Sequence, residues 1–341
     1  MREAKSAPRT FDENLKNVEP SELDLNIRKT LLKRNGAHSF VQASLQRLQL
    51  FLPIFCLSAA LLMPSLALSQ SVQHRYFKTS DGVRLHYLEA GQGEQTLVFI
   101  PGWVMPAAVF EKQLLALSKH FRVLAFDPRS QGLSELTTLS HAPPRRTRDM
   151  DEFLKFAKVN SFILAGWSLG VLEALEYLAN YRPQGLRGLI LIDNSVGEGR
   201  PSGGGPSTFQ QTMNNPKKRE AYLRAFCKDI YRQTPPPVLA QAVLDSAMRV
   251  PPNIAIELMN QPFPRTYWRE TLEQQNVPVL YIARPWLKEQ GAALLAKRPP
   301  ELITVKILDK AGHALFVDDP VTFNEATLTF STAAFARLAQ P

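Results

Sequence analysis

Apolar runs of four to seven residues recur along most of this chain, and amphipathic segments separate them. Runs of this length that end at turn residues are typical of buried strands. They lie at residues 96–100, 121–126, 162–165, 186–192, 277–283 and 302–308. Helical spacing of apolar side chains follows several of them, at residues 110–117, 146–157 and 286–297. Strands that alternate with helices predict a parallel sheet covered on both faces.

The alternation of strands and helices is interrupted twice, before residue 96 and again after Asp193. Two alternating segments flank Ser80-Asp81-Gly82, which predicts a β-hairpin. After Asp193 the buried strands stop, and a stretch rich in Gly, Pro and Ser is followed by short helical segments. We therefore predict an α/β core in two parts, residues 70–194 and 276–341, with a helical cap at residues 195–275 between them.

Residues 1–69 form a leader that ends in an uncharged apolar segment at residues 48–68. Basic residues precede this segment, and its exit Ala67-Leu68-Ser69 has a small residue at both ends. This order predicts a secretory signal peptide cleaved before Gln70, and hence a periplasmic or secreted protein. The apolar segment is also long enough to span a bilayer. An uncleaved anchor that holds the protein to a membrane is therefore the alternative.

Composition narrows the class of protein further. Apolar residues make up 45% of the 341 residues, which allows a large core. The formal net charge of +9 is spread along the chain without a long basic run, and this indicates ordinary surface charge rather than a nucleic-acid-binding face. The two cysteines, Cys56 and Cys227, form neither a disulfide framework nor a metal-ligand cluster. Because zinc spacings, phosphate-binding loops and dinucleotide fingerprints are also missing from the sequence, we predict no metal, no cofactor and no nucleic-acid partner.

The stretch with the clearest chemistry is Gly166-Trp167-Ser168-Leu169-Gly170, between a buried strand and a helix. A serine between two glycines at such a turn has its hydroxyl lifted clear of the sheet beside the helix N-terminus. The pattern therefore predicts Ser168 as a nucleophile. A serine that only caps the following helix is the alternative.

Further motifs occur in a fixed order around this stretch. They are Pro101-Gly102-Trp103 after a strand, Asp127-Pro128-Arg129-Ser130-Gln131-Gly132, the serine turn itself, and Gly312-His313-Ala314 after the last strand. Together they resemble the α/β-hydrolase superfamily over residues 75–338. The resemblance implies an eight-stranded, mostly parallel sheet flanked by helices, with its second strand antiparallel and a cap inserted after the sixth strand.

The resemblance also implies a catalytic triad in which Ser168 is the nucleophile and His313 is the base. Imidazole suits this role because it accepts and returns a proton near neutral pH. The acid of many relatives follows the seventh strand, but residues 283–289 contain no Asp. Other branches place the acid after the sixth strand, where this chain has Asp193. We therefore predict Asp193 as the acid, with Glu289 as the alternative.

Two backbone N–H groups, those of Trp103 and Leu169, are predicted to form the oxyanion hole. Asp127 and Arg129 belong to a motif that is mainly structural in relatives, and we expect them to brace loops. Aromatic residues such as Trp103, Phe226 and Trp268 are expected to line an apolar acyl or aryl pocket.

The predicted function is therefore an exported serine hydrolase that cleaves a small carboxylic ester or a related acyl substrate. Relatives with the same triad act as lactonases, as cofactor-free haloperoxidases (perhydrolases) or as C–C bond hydrolases, and these reactions remain alternatives. An alternative of another class is a hydrolase-like ligand-binding or sensor protein with little turnover.

Overall fold

The computed structural model describes residues 71–197 and 206–337, and eight strands within them form one sheet. The strands are β1 (Gln73–Lys78), β2 (Arg84–Ala90), β3 (Gln95–Ile100), β4 (Arg122–Phe126), β5 (Ser161–Trp167), β6 (Leu186–Ile192), β7 (Val279–Ala283) and β8 (Ile303–Ile307). Their order in the sheet is β1-β2-β4-β3-β5-β6-β7-β8. Strand β2 is antiparallel to both neighbours, and the other pairs are parallel. The predicted fold class is confirmed.

Helices cover both faces of this sheet. They are α1 (Glu111–Leu117), α2 (Pro143–Phe156), α3 (Leu169–Tyr181), α4 (Pro206–Asn214), α5 (Pro216–Asp229), α6 (Pro237–Arg249), α7 (Pro252–Met259), α8 (Arg265–Glu273), α9 (Lys288–Lys297), α10 (Leu315–Asp318) and α11 (Pro320–Arg337). Short 3₁₀ turns occur at Ala107–Phe110, Pro285–Leu287 and Pro300–Leu302. Helices α4 to α8 lie between β6 and β7, in the part of the chain for which the sequence predicts a cap.

The central strands are buried on both faces because alternate side chains enter two separate apolar clusters. In β3, Leu97 and Phe99 join one cluster, and Val98 and Ile100 join the other. This follows from the period of two residues along a strand. The continuous apolar runs in the sequence are therefore the expected signature of a parallel sheet between two helical layers.

Proline sets the start of one helix, which differs from the prediction, and also separates the last two helices. Helix α2 begins at Pro143 rather than at Arg146, because proline is favoured in the first helical turn. Helices α10 and α11 are separated at Asp319, whose φ and ψ are −129° and 69°. A residue that precedes a proline avoids the helical region, and Pro320 follows directly.

The predicted leader, including the apolar segment at residues 48–68, lies outside the described residues. Within residues 71–197 and 206–337, no helix is both long and apolar enough to cross a bilayer.

His141 is a buried histidine in the loop that leads into α2. Its side chain is hydrogen-bonded to the hydroxyl of Ser130, with 2.8 Å between Oγ and Nε2. Burial lowers the pKa of His141 to about 4, and the positive charges of Arg146 and Arg129 act in the same direction. The folded chain therefore keeps this imidazole neutral under conditions in which an unfolded histidine is protonated.

We expect this buried histidine to make the free energy of unfolding fall as the pH drops from about 6.5 to about 4. Over that range the unfolded state binds more protons than the folded state, at a cost of up to about 3 kcal/mol. In His141→Gln the same fall in pH should cost correspondingly less, as measured by urea unfolding at several pH values. The exposed His120 provides the control, because His120→Gln should follow the wild type. Parallel curves for wild type and His141→Gln would contradict this account.

Candidate active site

Ser168 occupies a sharp turn between the end of β5 and the start of α3. Its φ of 55° and ψ of −120° are strained for a residue other than glycine. A Cβ atom on Gly166 would lie 2.3 Å from the carbonyl oxygen of Gly170, and one on Gly170 would lie 2.4 Å from that of Ile100. Both flanking positions therefore require glycine. This geometry places the Ser168 side chain at the N-terminus of α3, partly exposed.

Asp193 and His313 are joined directly by a hydrogen bond beyond the carboxyl ends of the strands. The distance from His313 Nδ1 to Asp193 Oδ2 is 2.6 Å, and the Asp193 carboxylate is fully buried. An ionised carboxylate only accepts hydrogen bonds, so Nδ1 is the donor and Nε2 is left as the acceptor. This is the tautomer that a general base requires.

The backbone of the sheet brings Ser168 and Asp193 to the same edge. The N–H of Ser168 donates to the carbonyl of Ile192 on the neighbouring strand, at 2.9 Å. The N–H of Asp193 donates in turn to Ile282 on β7, also at 2.9 Å. The side-chain amide of Asn194 donates to the carbonyl of Ser168 at 2.6 Å. The serine turn and the acid are thus fixed relative to each other by hydrogen bonds between adjacent chain segments.

The loop that carries His313 is held by three separate parts of the chain. The indole N–H of Trp167, next to Ser168, donates to the carbonyl of His313 at 2.9 Å. The N–H of Gly312 donates to the Asp318 carboxylate at 2.7 Å, and the N–H of Ala314 donates to Ile230 after α5 at 2.8 Å. The serine turn, α10 and the cap therefore fix the histidine together. The motif analysis did not find the roles of Trp167 and Asp318.

Arg284 is a further residue that the sequence reasoning missed. It follows β7, where many relatives have their acid, and it holds both oxygens of Asp193. Its backbone N–H donates to Oδ1 at 2.9 Å, and its Nε donates to Oδ2 at 2.6 Å. Its Nη2 lies 3.3 Å from His313 Nδ1, and its guanidinium lies over the Trp286 ring, 5.5 Å from the ring centre. The cation thus compensates the buried carboxylate from the position that the usual acid would occupy.

Glu289, the alternative acid, lies in the first turn of α9 and is exposed to solvent. The carboxylate that contacts His313 is that of Asp193. Tyr281, on β7, donates its hydroxyl to the carbonyl of Asn194 at 2.9 Å. Burial raises the pKa of Tyr281, and the charge of Asp193 raises it further, so the hydroxyl remains a neutral donor beside the acid.

The predicted oxyanion donors approach Ser168 from two sides. Leu169 is the first residue of α3, where N–H groups have no acceptor within the helix. The loop with Trp103 passes so close that a Cβ atom on Gly102 would lie 3.1 Å from the Cβ of Ser168. Gln131 holds this loop, because its amide donates to the carbonyls of Gly102 and Met105, each at 3.1 Å.

The predicted aromatic lining divides into two groups. Trp103 contacts Phe209, Tyr222 and Phe226 of the cap, with ring centres 5.6, 6.3 and 5.2 Å away. Trp268 does not belong to this group, and its expected place in the lining is wrong. It contacts Phe263 and Tyr267 and belongs to the other core cluster. Helix α8 packs against α3.

Asp127 and Arg129 brace separate loops. Asp127 accepts hydrogen bonds from the imidazole of His86 at 2.7 Å and from the N–H of Leu133 at 2.9 Å. Arg129 is fully buried and binds the carboxylates of Asp149 and Asp81. Neither contact involves Ser168 or His313.

The ion pair between Arg284 and Asp193 should show as a coupling energy in a double-mutant cycle. Arg284→Met leaves a buried carboxylate without its cation, and we expect a loss of about 1–3 kcal/mol of unfolding free energy. This lies below the cost for a fully enclosed pair because Arg284 is 25% exposed. In the Asp193→Asn background, the loss of unfolding free energy caused by Arg284→Met should be smaller by at least about 1 kcal/mol than in the wild type.

Urea unfolding at pH 8 measures all four proteins of this cycle. The exposed Arg148, whose partner Glu152 lies on the same helix, supplies the control, and Arg148→Met should change stability by less than about 0.5 kcal/mol. Additive effects of the two substitutions at Arg284 and Asp193 would show that the contact contributes nothing.

Comparison with known proteins identifies relatives of this chain. A sequence model described as the alpha/beta hydrolase family matches residues 97–326. Serine hydrolase BPHL of Mus musculus is 31% identical over 123 residues, which are 33% of this chain and 40% of that protein. The chain spans less than half the length of several curated relatives that it matches.

Two other similarities extend over most of the described fold. The pimeloyl-(acyl-carrier protein) methyl ester esterase of Pectobacterium carotovorum is 26% identical over 272 residues, 73% of this chain and 99% of that protein. The structure of an esterase from Exiguobacterium antarcticum has a TM-score of 0.65 at 20% identity, and covers 76% of this chain and 100% of that one. The similarity to this esterase structure is a similarity of fold. With the family match extending over residues 97–326, this chain belongs to the alpha/beta hydrolase family.

Proposed function

We propose that this chain is an exported serine hydrolase that cleaves a small carboxylic ester or a related acyl substrate. The observation that carries the proposal is the 2.6 Å hydrogen bond between His313 and the buried Asp193, at the sheet edge where Ser168 turns into α3. Export is inferred from the leader alone, and N-terminal sequencing of protein purified from its native cells would test cleavage before Gln70.

In the proposed reaction, Ser168 Oγ attacks the carbonyl carbon of the ester while its proton passes to His313 Nε2. A serine hydroxyl is a poor nucleophile until a base removes this proton. The buried carboxylate of Asp193 stabilises the imidazolium that forms and fixes its orientation. The N–H groups of Trp103 and Leu169 donate to the oxygen on which negative charge develops.

Collapse of this first intermediate breaks the bond to the leaving oxygen, which takes the proton from His313 Nε2 and departs as the alcohol. The acyl group then remains on Ser168. Water attacks the acyl carbon and gives a proton to Nε2. Ser168 leaves with that proton, which releases the carboxylic acid and restores the enzyme.

The relatives support an ester-type reaction rather than a particular substrate. The protein from Pectobacterium carotovorum is described as an esterase that acts on a methyl ester, and the alignment spans nearly all of it. We carry over the reaction class, hydrolysis of an ester, and not its carrier-bound acyl group. The aromatic group around Trp103 favours an apolar acyl or aryl portion, because flat hydrophobic surface binds such groups.

Ser168→Ala should abolish labelling by a fluorophosphonate probe and lower the turnover of p-nitrophenyl esters by at least about 10³-fold. The reason is that the probe and the ester both react at the activated hydroxyl. The matched control is Ser195→Ala, which removes a nearby hydroxyl that binds Gln290 and should leave labelling intact. Labelling that persists in Ser168→Ala would exclude the proposed nucleophile.

The substrate panel should include graded acyl esters, aryl esters, lactones, 1,3-diketones, and carboxylic acids with peroxide and halide. Faster turnover of lactones, peroxide-dependent halogenation or C–C cleavage would assign one of the alternative reactions to the same residues. Tight ligand binding without turnover across the panel would instead favour a sensor and contradict the proposal.

Asp193→Asn should lower kcat by about 10²–10⁴-fold and change KM little, because the imidazole loses the partner that sets its tautomer. Glu289→Gln is the comparison, and its kcat should stay within about twofold of the wild type because its side chain is exposed. Initial-rate kinetics on a single p-nitrophenyl ester measures both variants. If Glu289→Gln alone abolishes turnover, Asp193 is not the acid.

A further inference from the structure

A cavity of about 440 Å³ lies within the cap, between α5, the segment after it, and α6. We name it the cap groove and define it by its lining residues, Arg224, Cys227, Lys228, Tyr231, Arg232, Gln233, Thr234, Pro235, Ala240 and Leu244. Neither Ser168 nor His313 is among them. The cap groove is therefore distinct from the proposed catalytic residues.

The rim of the cap groove carries a row of cations. Arg224 and Lys228 lie one turn apart on α5, and Arg232 follows in the bend after this helix. Arg224 is paired with Glu220, at 2.9 Å. Within the described residues, the side chains of Lys228 and Arg232 form no ion pair, and no acidic residue lines the cavity. The rim therefore attracts an anion.

The floor of the cap groove is apolar. Cys227, Ala240 and Leu244 contribute apolar surface, and Tyr231 lies among them with only 9% of its surface exposed. The Tyr231 hydroxyl itself is buried from solvent, so it does not line the accessible space of the groove.

A ligand suited to the cap groove therefore needs an apolar body for the floor and a negative charge for Lys228 and Arg232. The cavity volume lies within the range of small-molecule sites. We propose that the cap groove binds an amphipathic carboxylate, an organic acid with an aliphatic or aryl body.

The cap groove also adjoins the loop of the predicted base. The backbone N–H groups of Arg232 and Gln233 donate to the Asp318 carboxylate, at 2.9 and 3.0 Å. The same carboxylate accepts the N–H of Gly312, next to His313. The Asp318 carboxylate therefore connects the rim of the cap groove to the histidine loop by hydrogen bonds on both sides. The binding itself does not depend on the proposed hydrolysis.

The test is isothermal titration calorimetry with octanoate, at low salt, on the full chain. We expect octanoate to bind at least about tenfold more tightly than octanol, which lacks the charge, and than inorganic phosphate, which lacks the apolar body. The double variant Lys228→Gln/Arg232→Gln should weaken octanoate binding at least about tenfold.

The matched control also removes two positive charges, but from the first turn of α5. Lys217 and Lys218 lie in the first turn of α5 and do not line the cavity, so Lys217→Gln/Lys218→Gln should leave octanoate affinity within about twofold. Unchanged affinity in Lys228→Gln/Arg232→Gln would overturn the proposal, since octanoate would then bind elsewhere, for example at Ser168. Equal affinity for octanol and octanoate would also overturn it.

Discussion

The buried carboxylate of Asp193 is the group on which the rest of the site depends. Its charge is withdrawn from water completely, and such a charge persists in a protein interior only when it is paired and hydrogen-bonded. Arg284 and His313 supply these partners, with Nε and Nδ1 each 2.6 Å from the same oxygen. Asp193 therefore holds both the guanidinium and the imidazole in place through one carboxylate oxygen.

This arrangement exchanges the roles of two neighbouring strand ends. In the relatives that the sequence resembles, the acid commonly follows the seventh strand. Here an arginine follows β7, and Asp193, the carboxylate that contacts His313, follows β6. Because β6 and β7 are adjacent and parallel, the two positions lie side by side, and either can face the histidine. This places the guanidinium of Arg284 beside the imidazole, with Nη2 3.3 Å from His313 Nδ1.

The cap is also connected to the loop of His313 through a carboxylate. Asp318 accepts N–H groups from Gly312, Arg232 and Gln233, so one side chain joins the histidine loop to the segment after α5. Ala314 adds a backbone hydrogen bond to the same segment. A movement of this part of the cap would therefore reach His313 through hydrogen bonds, without passing through the aromatic group around Trp103.

The sequence by itself determined the alternation of strands and helices, the position of the cap helices, and the serine turn, because these features are local. Apolar runs, prolines and the two glycines beside Ser168 fix them within a few residues. Only the tertiary structure decided which carboxylate meets His313 and that Trp268 faces away from the site. Contacts between residues far apart in sequence, such as that of Arg284 with Asp193, depend on which strands become neighbours, and no spacing along the chain encodes that.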